Sequence, residues 1–186
     1  MRQGIDHRIV LQAASTLADE EGYEQVTLAN IAKLLHIRTP SLYNHIKGLP
    51  ELRRQLAVYG LTQLLAELTQ AALGRAGHEA VQAIAAAYVN FVRQHPGLYE
   101  ATMASPHPLD EEFHTVGNRI IALILRLLEP FNLNHDDQIH AVRGLRSLLH
   151  GYASLELKQQ FNLAVDRDQS LRYIVTAYLD GIPVTK

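Results

Sequence analysis

The sequence contains no cysteine and no tryptophan among its 186 residues. Without cysteine the chain has no disulfide framework, no thiolate nucleophile and no zinc site built on thiolates. No apolar run approaches the roughly 18 residues that a membrane-spanning helix needs, and the N-terminal stretch lacks the hydrophobic segment of a signal peptide. We therefore expect a cytoplasmic protein.

Strand signals are also scarce, because few β-branched residues alternate with polar ones between turns. Hydrophobic residues make up 47% and charged residues 19% of the chain, which indicates a globular protein with a buried core. Apolar residues recur at helical spacing almost everywhere, so we predict an all-α fold. The pattern predicts about nine helices, beginning near residues 5, 27, 39, 50, 78, 98, 110, 134 and 168, with a loop at about 105–108.

The net charge of −2 conceals an uneven distribution. Between residues 33 and 54 a single acid, Glu51, accompanies five basic residues, which are Lys33, Arg38, Lys47, Arg53 and Arg54. A local basic patch of this kind binds phosphate groups even when the chain as a whole is slightly acidic.

Two short helices within this region are joined by a tight turn. Gly22 is placed to end the first helix of the chain, Thr27 to cap the second, and His36 with Ile37 to form the turn. Thr39 is the predicted N-cap of the third helix, with Pro40 in its first turn. This arrangement is typical of a helix-turn-helix unit.

The third helix carries side chains suited to DNA. A helix that enters the major groove needs hydrogen-bonding groups on its exposed face, and flanking groups that hold phosphates. The first set comprises Arg38, Thr39, Ser41 and Asn44, and the second comprises Tyr43, His45 and Lys47. Leu42 and Ile46, four residues apart, would anchor the helix. An ordinary helical hairpin with a polar surface also fits the periodicity.

Residues 9–56 resemble the DNA-binding domain of the TetR family of transcriptional regulators. The matching motifs are Gly22-Tyr23, Thr27, Ile31-Ala32, Ile37, Leu42-Tyr43-Asn44-His45-Ile46 and Leu52. The resemblance implies a DNA-binding domain at residues 1–50, and an effector-binding and dimerisation domain at residues 51–186. It implies a ligand-responsive regulator without catalytic residues or a cofactor. Such a protein is most commonly a repressor that binds a palindromic operator as a homodimer and is released by a small molecule.

The resemblance also implies roles for single residues. Tyr43 and His45 would contact phosphates, and Thr27 would bring its hydroxyl and a helix N-terminus to another phosphate. The implied base readers are Arg38, Thr39, Pro40 and Asn44. Two positions depart from the family pattern: its glycine in the turn is His36 here, and a lysine before helix 4 is replaced by Leu49. Lys47, Arg53 and Arg54 are the candidates for the missing phosphate contact.

In the TetR family the last two helices pack against those of the partner subunit. The corresponding candidates here are Leu145, Leu148, Leu149, Leu155, Ile174, Val175 and Tyr178, although all of them could also be core within one chain. The segment Leu149-His150-Gly151, with Leu155-Glu156 behind it, resembles the WHG-type C-terminal domain of one group of these regulators. Gly151 inside a helix costs about 1 kcal/mol relative to alanine, which indicates close helix approach or space for a neighbour.

The family architecture also implies an effector pocket in the C-terminal part. Aromatic and soft side chains suit a mostly apolar ligand with a few polar anchors, although taken one at a time each is more typical of plain core. The candidates are Tyr59, Tyr88, Phe91, Tyr99, Met103, Phe113, His150 and Tyr152.

Two other classes of protein remain in competition. The ten histidines raise the question of a metal site, yet no pair has the spacing and carboxylate of a motif such as H-E-x-x-H. Since no phosphate-binding glycine loop or nucleophile elbow occurs either, we expect neither a metal nor an enzyme. A helical interaction protein that has lost DNA binding is the remaining alternative, because of His36 and Leu49.

Overall fold

The computed structural model describes residues 5–104 and 110–182, and confirms the all-α prediction. Within these ranges there are nine α-helices and no strand: α1 His7–Glu21, α2 Leu28–Leu34, α3 Thr39–Leu42, α4 Leu49–Ala72, α5 Gly77–Gln94, α6 Pro96–Met103, α7 Glu111–Leu128, α8 His135–Leu157 and α9 Arg167–Asp180. None of these helices is long and apolar enough to cross a membrane. The predicted loop at 105–108 lies outside the described residues.

Several helix ends follow the local signals in the sequence. Gly22 ends α1 with a φ of +99°, a conformation that glycine adopts without steric penalty. The Thr27 hydroxyl caps α2 by accepting a hydrogen bond of 3.2 Å from the backbone N–H of Asn30. The Asn134 side chain caps α8 in the same way, by accepting one of 2.9 Å from the N–H of Asp137.

Two helix starts differ from the predictions. Arg38, and not Thr39, occupies the N-cap position of α3, and no side chain caps that helix. Helix α6 begins at Pro96, earlier than the predicted start near residue 98. Its cap comes from α1, because the Asp19 carboxylate accepts a hydrogen bond of 2.8 Å from the N–H of Leu98. A cap from 79 residues away leaves no signal near Pro96.

The chain divides into two compact units, and the first comprises Met1–Thr62 with Gln94–His114. Its core contains the buried side chains of Val10, Leu17, Ile31, Leu42, Leu52, Leu56 and Leu98. Helix α6 packs closely on the end of α1 at Gly97, where an added Cβ would lie 1.8 Å from the carbonyl oxygen of Ala18. Helix α6 is therefore built into the same unit as the helix-turn-helix segment.

The second unit comprises Gln63–Arg93 with Thr115–Lys186. Helices α8 and α9 meet at Gly144, where an added Cβ would lie 2.4 Å from the hydroxyl oxygen of Tyr178. The Tyr178 hydroxyl donates a hydrogen bond of 2.7 Å to the carbonyl of Ala141. The functional boundary after residue 50 stays a prediction.

Buried Glu156 joins three helices of this second unit. Arg93 of α5 donates to both of its carboxylate oxygens, at 2.9 and 3.0 Å, and Arg167 of α9 lies 3.4 Å away. Arg93 also pairs with Asp168 at 2.7 Å. The hydrogen bonds to Glu156 are the main cause of the raised pKa of Arg93. Glu156 lies at the end of α8, and Arg167 and Asp168 lie at the start of α9, so charged contacts hold both ends of the connection between these helices.

Candidate nucleic-acid interface

The turn between α2 and α3 has the tight geometry of a helix-turn-helix unit. His36 adopts a φ of +54°, which lies in the left-handed region. The N–H of Ile37 donates to the carbonyl of Ala32 at 2.9 Å and closes the turn. Histidine therefore fills a position where the family usually has glycine, without opening the turn.

Two apolar residues anchor α3 to the rest of the first unit. Leu42 is fully buried and Ile46 is 4% exposed, which confirms the anchoring prediction. The regular helix ends at Leu42, and a tighter turn continues through His45, whose N–H donates to the Leu42 carbonyl at 2.8 Å. With these two residues inward, the remaining side chains of residues 38–47 project outward or lie at the rim.

All the predicted DNA-contacting side chains except that of Thr27 belong to this segment. Tyr43 is 60% exposed although it is aromatic, so burial does not account for it. The exposed members are Arg38, Pro40, Ser41, Tyr43, Asn44 and Lys47, and the half-buried members are Thr27, Thr39 and His45. Thr39 is free of the N-cap role predicted for it, and Thr27 keeps its hydroxyl proton for donation while its oxygen caps α2. Their contacts with DNA stay predictions.

Arg53, one candidate for the missing phosphate contact, is half-buried and contacts groups of its own chain. Its guanidinium lies over the Tyr23 ring, 5.1 Å from the centroid, and donates to the carbonyl of Val26 at 3.3 Å. Burial raises the pKa of Tyr23, while the charge of Arg53 lowers it and only partly offsets that effect. Tyr23 remains a neutral ring at physiological pH beneath the guanidinium.

Arg54, the second candidate, is held by three carboxylates. It lies 3.0 Å from Glu51 and 3.2 Å from both Asp110 and Glu112. The hydrogen bond from Arg54 is the main cause that lowers the pKa of Glu51. Burial pushes the pKa of Asp110 upward, but the backbone N–H of Phe113 and the Arg54 guanidinium outweigh it and lower that pKa. The charge of Arg54 is therefore already paired with carboxylates of its own chain.

Lys47 is left as the candidate for that phosphate contact. Its side chain is exposed, and its charge acts on Glu51 from a distance by helping to lower that pKa. Lys33 is another exposed cation, in the last turn of α2. Lys33 belongs to the basic patch in the sequence, but none of the sequence motifs predicts that it contacts DNA.

The predicted effector-pocket residues fall in both units. Tyr59, Tyr99, Met103 and Phe113 belong to the first unit, and Tyr88, Phe91, His150 and Tyr152 to the second. Four of them are buried, namely Tyr88, Phe91, Tyr99 and Tyr152, whereas Met103 is 41% exposed. Tyr152 lines an open groove, and its hydroxyl donates a hydrogen bond to the carbonyl of Arg167. A role for any of these residues in ligand binding stays a prediction.

The predicted dimer-interface residues separate into two groups. Leu145, Leu149 and Val175 are buried inside a single chain, so little of their surface is left for a partner, and their place in the interface stays a prediction. Four candidates retain exposed surface: Leu148, Ile174 and Tyr178 are half-buried, and Leu155 is 42% exposed. Periodicity could not separate the two groups, since both lie on the apolar side of amphipathic helices.

The metal-site alternative gains no support in residues 5–104 and 110–182. Over these ranges, no three histidine or acidic side chains approach one another closely enough to hold a metal ion. His78 instead stacks on Phe131, with ring centroids 5.1 Å apart, and His95 lies 2.9 Å from Asp19.

Comparison with known proteins adds family relationships to this geometry. A family model described as "Tetracyclin repressor-like, C-terminal domain" matches residues 81–178. YobS, an uncharacterized HTH-type transcriptional regulator of Bacillus subtilis, is 39% identical over 182 residues, which cover 97% of this chain and 94% of YobS.

Solved structures show the same fold. A Rhodococcus protein of unknown function has a TM-score of 0.85 at 18% identity, over 97% of each chain. A TetR transcriptional regulator from Streptomyces coelicolor has a TM-score of 0.76 at 20% identity, over 96% of this chain and 98% of that one.

Proposed function

The chain belongs to the TetR family of transcriptional regulators, and we propose that it acts as a homodimeric repressor that binds a palindromic operator and is released by a small molecule. As a member of this family the protein is a DNA-binding regulator of transcription and not an enzyme.

The exposed polar surface of residues 38–47 is the observation that carries the proposal. Leu42 and Ile46 point into the core, so Arg38, Ser41 and Asn44 are presented outward next to Tyr43. Arginine pairs with guanine and asparagine with adenine in the major groove, while tyrosine and lysine bind the flanking phosphates. Arg38 and Lys47 supply positive charge at this surface, and Lys33 is exposed at the end of α2.

A single helix of this kind contacts only a few base pairs. Two-fold symmetric operators provide two half-sites about 34–36 Å apart, and a symmetric dimer contacts both. The exposed apolar surface on α8 and α9, which includes Leu155 and parts of Leu148 and Ile174, supports such a dimer. The expected operator is therefore an inverted repeat.

We expect Tyr43→Ala and Asn44→Ala to weaken operator binding. For Asn44→Ala, loss of a base contact reduces discrimination by about 1–3 kcal/mol, which corresponds to roughly 5- to 150-fold in affinity. For Tyr43→Ala, loss of a phosphate contact weakens binding to all sequences alike. The operator is first found by selecting bound sequences from random DNA, and affinity is then measured by fluorescence anisotropy. Binding of the wild type should also fall steeply with salt, because each phosphate contact releases counterions.

Asn118→Ala is the matched control, because Asn118 is an exposed residue in the middle of α7. All three variants should keep the helicity of the wild type in circular dichroism. Tyr43→Ala and Asn44→Ala proteins that bind the selected operator as tightly as Asn118→Ala would contradict this assignment. A wild type that selects no sequence and shows no salt-sensitive binding to any DNA fragment would instead favour the interaction protein that has lost DNA binding.

A further inference from the structure

Arg53 of α4 contacts the backbone at the point where the chain enters α2. Its guanidinium donates a hydrogen bond of 3.3 Å to the carbonyl of Val26, 27 positions earlier in the chain. Val26 is fully buried and directly precedes Thr27, the N-cap of α2. Because a peptide bond is planar, a contact that fixes the Val26 carbonyl also fixes the direction in which the chain enters Thr27. The placement of Thr27 therefore depends on a side chain of another helix.

Further contacts restrict both Arg53 and the start of α2. The Arg53 guanidinium lies 5.1 Å from the centroid of the Tyr23 ring, and a planar guanidinium stacked on an aromatic ring keeps a defined orientation. The Asn30 side chain donates to the carbonyl of Gln25 at 2.9 Å, and the Asn30 backbone N–H donates to the Thr27 hydroxyl oxygen at 3.2 Å. The Thr27 hydroxyl is thus held from within α2, while the chain that leads to it is held from α4.

Stability alone does not account for an arginine at this position. The Nε of Arg53 is buried and has no hydrogen-bond partner among the described protein groups. A buried N–H without a partner destabilises the folded state, which offsets part of what the hydrogen bond to Val26 contributes. A buried polar atom of this kind calls for an explanation beyond packing. Its two contacts also direct the Arg53 charge toward Tyr23 and Val26, so a direct phosphate contact would require both to break.

We propose that Arg53 is a positioning residue for DNA binding, which acts through the Val26–Thr27 peptide and does not itself contact a phosphate. Its role is to hold the Thr27 hydroxyl where an operator phosphate accepts the hydroxyl proton. A neutral hydroxyl donor depends strongly on distance and angle, so a small displacement of the chain weakens this hydrogen bond. The inference rests on the proposed function and on the predicted phosphate contact of Thr27.

Arg53→Lys tests the positioning role at constant charge. Lysine is not equivalent to arginine here, because its nitrogen ends near the position of the arginine Cζ and falls short of the Val26 carbonyl. We expect operator affinity to fall about 2- to 10-fold, the lower part of the range for residues that are coupled through contact. Arg75→Lys is the matched control, since Arg75 also donates to a backbone carbonyl, that of Ala71 at 2.7 Å, but lies beyond the other end of α4. It should bind the operator as tightly as the wild type.

Thr27→Val tests whether Arg53 acts through the threonine. If it does, Arg53→Lys should weaken binding by less than about 2-fold in the Thr27→Val background, because the contact that it supports is already lost. Arg53→Met also removes the charge, and should leave the dependence of operator affinity on salt unchanged. Loss of a direct phosphate contact would instead lower the salt slope by about one.

Circular dichroism and thermal unfolding establish that each variant is folded, and Arg53→Lys decides the question if Arg53→Met is not. Wild-type operator affinity in Arg53→Lys would overturn the positioning role, and so would additive effects of Arg53→Lys and Thr27→Val. A salt slope lowered by about one in Arg53→Met would overturn it too, by showing a direct phosphate contact. In these cases weakened binding by Asn44→Ala would leave the proposed function intact, whereas a wild type that selects no operator would overturn both.

Discussion

His36 carries backbone strain at the turn between α2 and α3. Its φ of +54° lies in the left-handed region, which costs an L-residue about 1–2 kcal/mol, and its side chain is exposed. Histidine, like asparagine, tolerates this region better than a β-branched residue does. The departure from the family glycine is therefore a small loss of stability confined to one residue.

We expect His36→Gly to stabilise the protein by about 0.5–1 kcal/mol, since relief of strain exceeds the extra entropy of unfolded glycine. His36→Val should destabilise it, because a β-branched side chain fits this conformation poorly. Urea unfolding at one fixed protein concentration measures both changes. A His36→Gly protein that unfolds at lower urea than the wild type would show that the histidine side chain contributes more than the strain removes.

At the level of secondary-structure elements, the start of helix α6 is held in place by its contact with α1. Gly97 allows the helices to touch backbone to backbone, and the Asp19 side chain caps the start of α6 from the end of α1. Neither interaction is visible in the residues near Pro96. The sequence therefore predicted that a helix exists here but misplaced its beginning.

Gly97→Ala is expected to destabilise the first unit by roughly 1–3 kcal/mol or more, because the new methyl group meets backbone atoms that cannot rotate away. Gly117→Ala, where the methyl group meets nothing within 4 Å, should instead stabilise α7 by up to about 1 kcal/mol. Thermal unfolding of the two variants side by side tests the contrast. Equal effects in both would mean that the α1–α6 contact is looser than described.

The proposed release by an effector is a property of the whole molecule, because it would couple ligand binding to DNA binding. A ligand shifts the conformational equilibrium only if it binds the DNA-incompetent form more tightly. Linkage then requires that operator DNA weaken ligand binding by the same factor by which the ligand weakens operator binding.

We expect an effector found by a thermal-shift screen to obey this reciprocity, with a factor of roughly 5–150 in each direction. Calorimetric titration of the ligand into free and operator-bound protein, beside operator titration with and without ligand, measures both factors. A compound that binds tightly yet leaves operator affinity unaltered is not the effector. Several candidate aromatic residues, including Tyr88 and Phe91, are buried, so their alanine variants also need a test of folding.

The sequence by itself determined the helical fold, the caps at Thr27 and Asn134 and the polar side of residues 38–47. Helical periodicity and capping act over three or four neighbouring positions, so they can be read along the chain. The family motifs use the same short spacings. For that reason the helix-turn-helix segment was the most predictable part of the molecule.

Only the tertiary structure decided which basic side chains remain available for phosphate contacts and which apolar side chains remain exposed for a partner subunit. Arg54 pairs with Asp110, 56 positions away, and Arg53 is bound to Tyr23 and Val26. Of the three candidates for the phosphate contact, Lys47 is the one whose side chain is exposed. Leu145, Leu149 and Val175 are buried within one chain, whereas Leu155 keeps exposed surface. Ion pairing and burial depend on residues brought together by folding, and local periodicity contains no information about those distant partners.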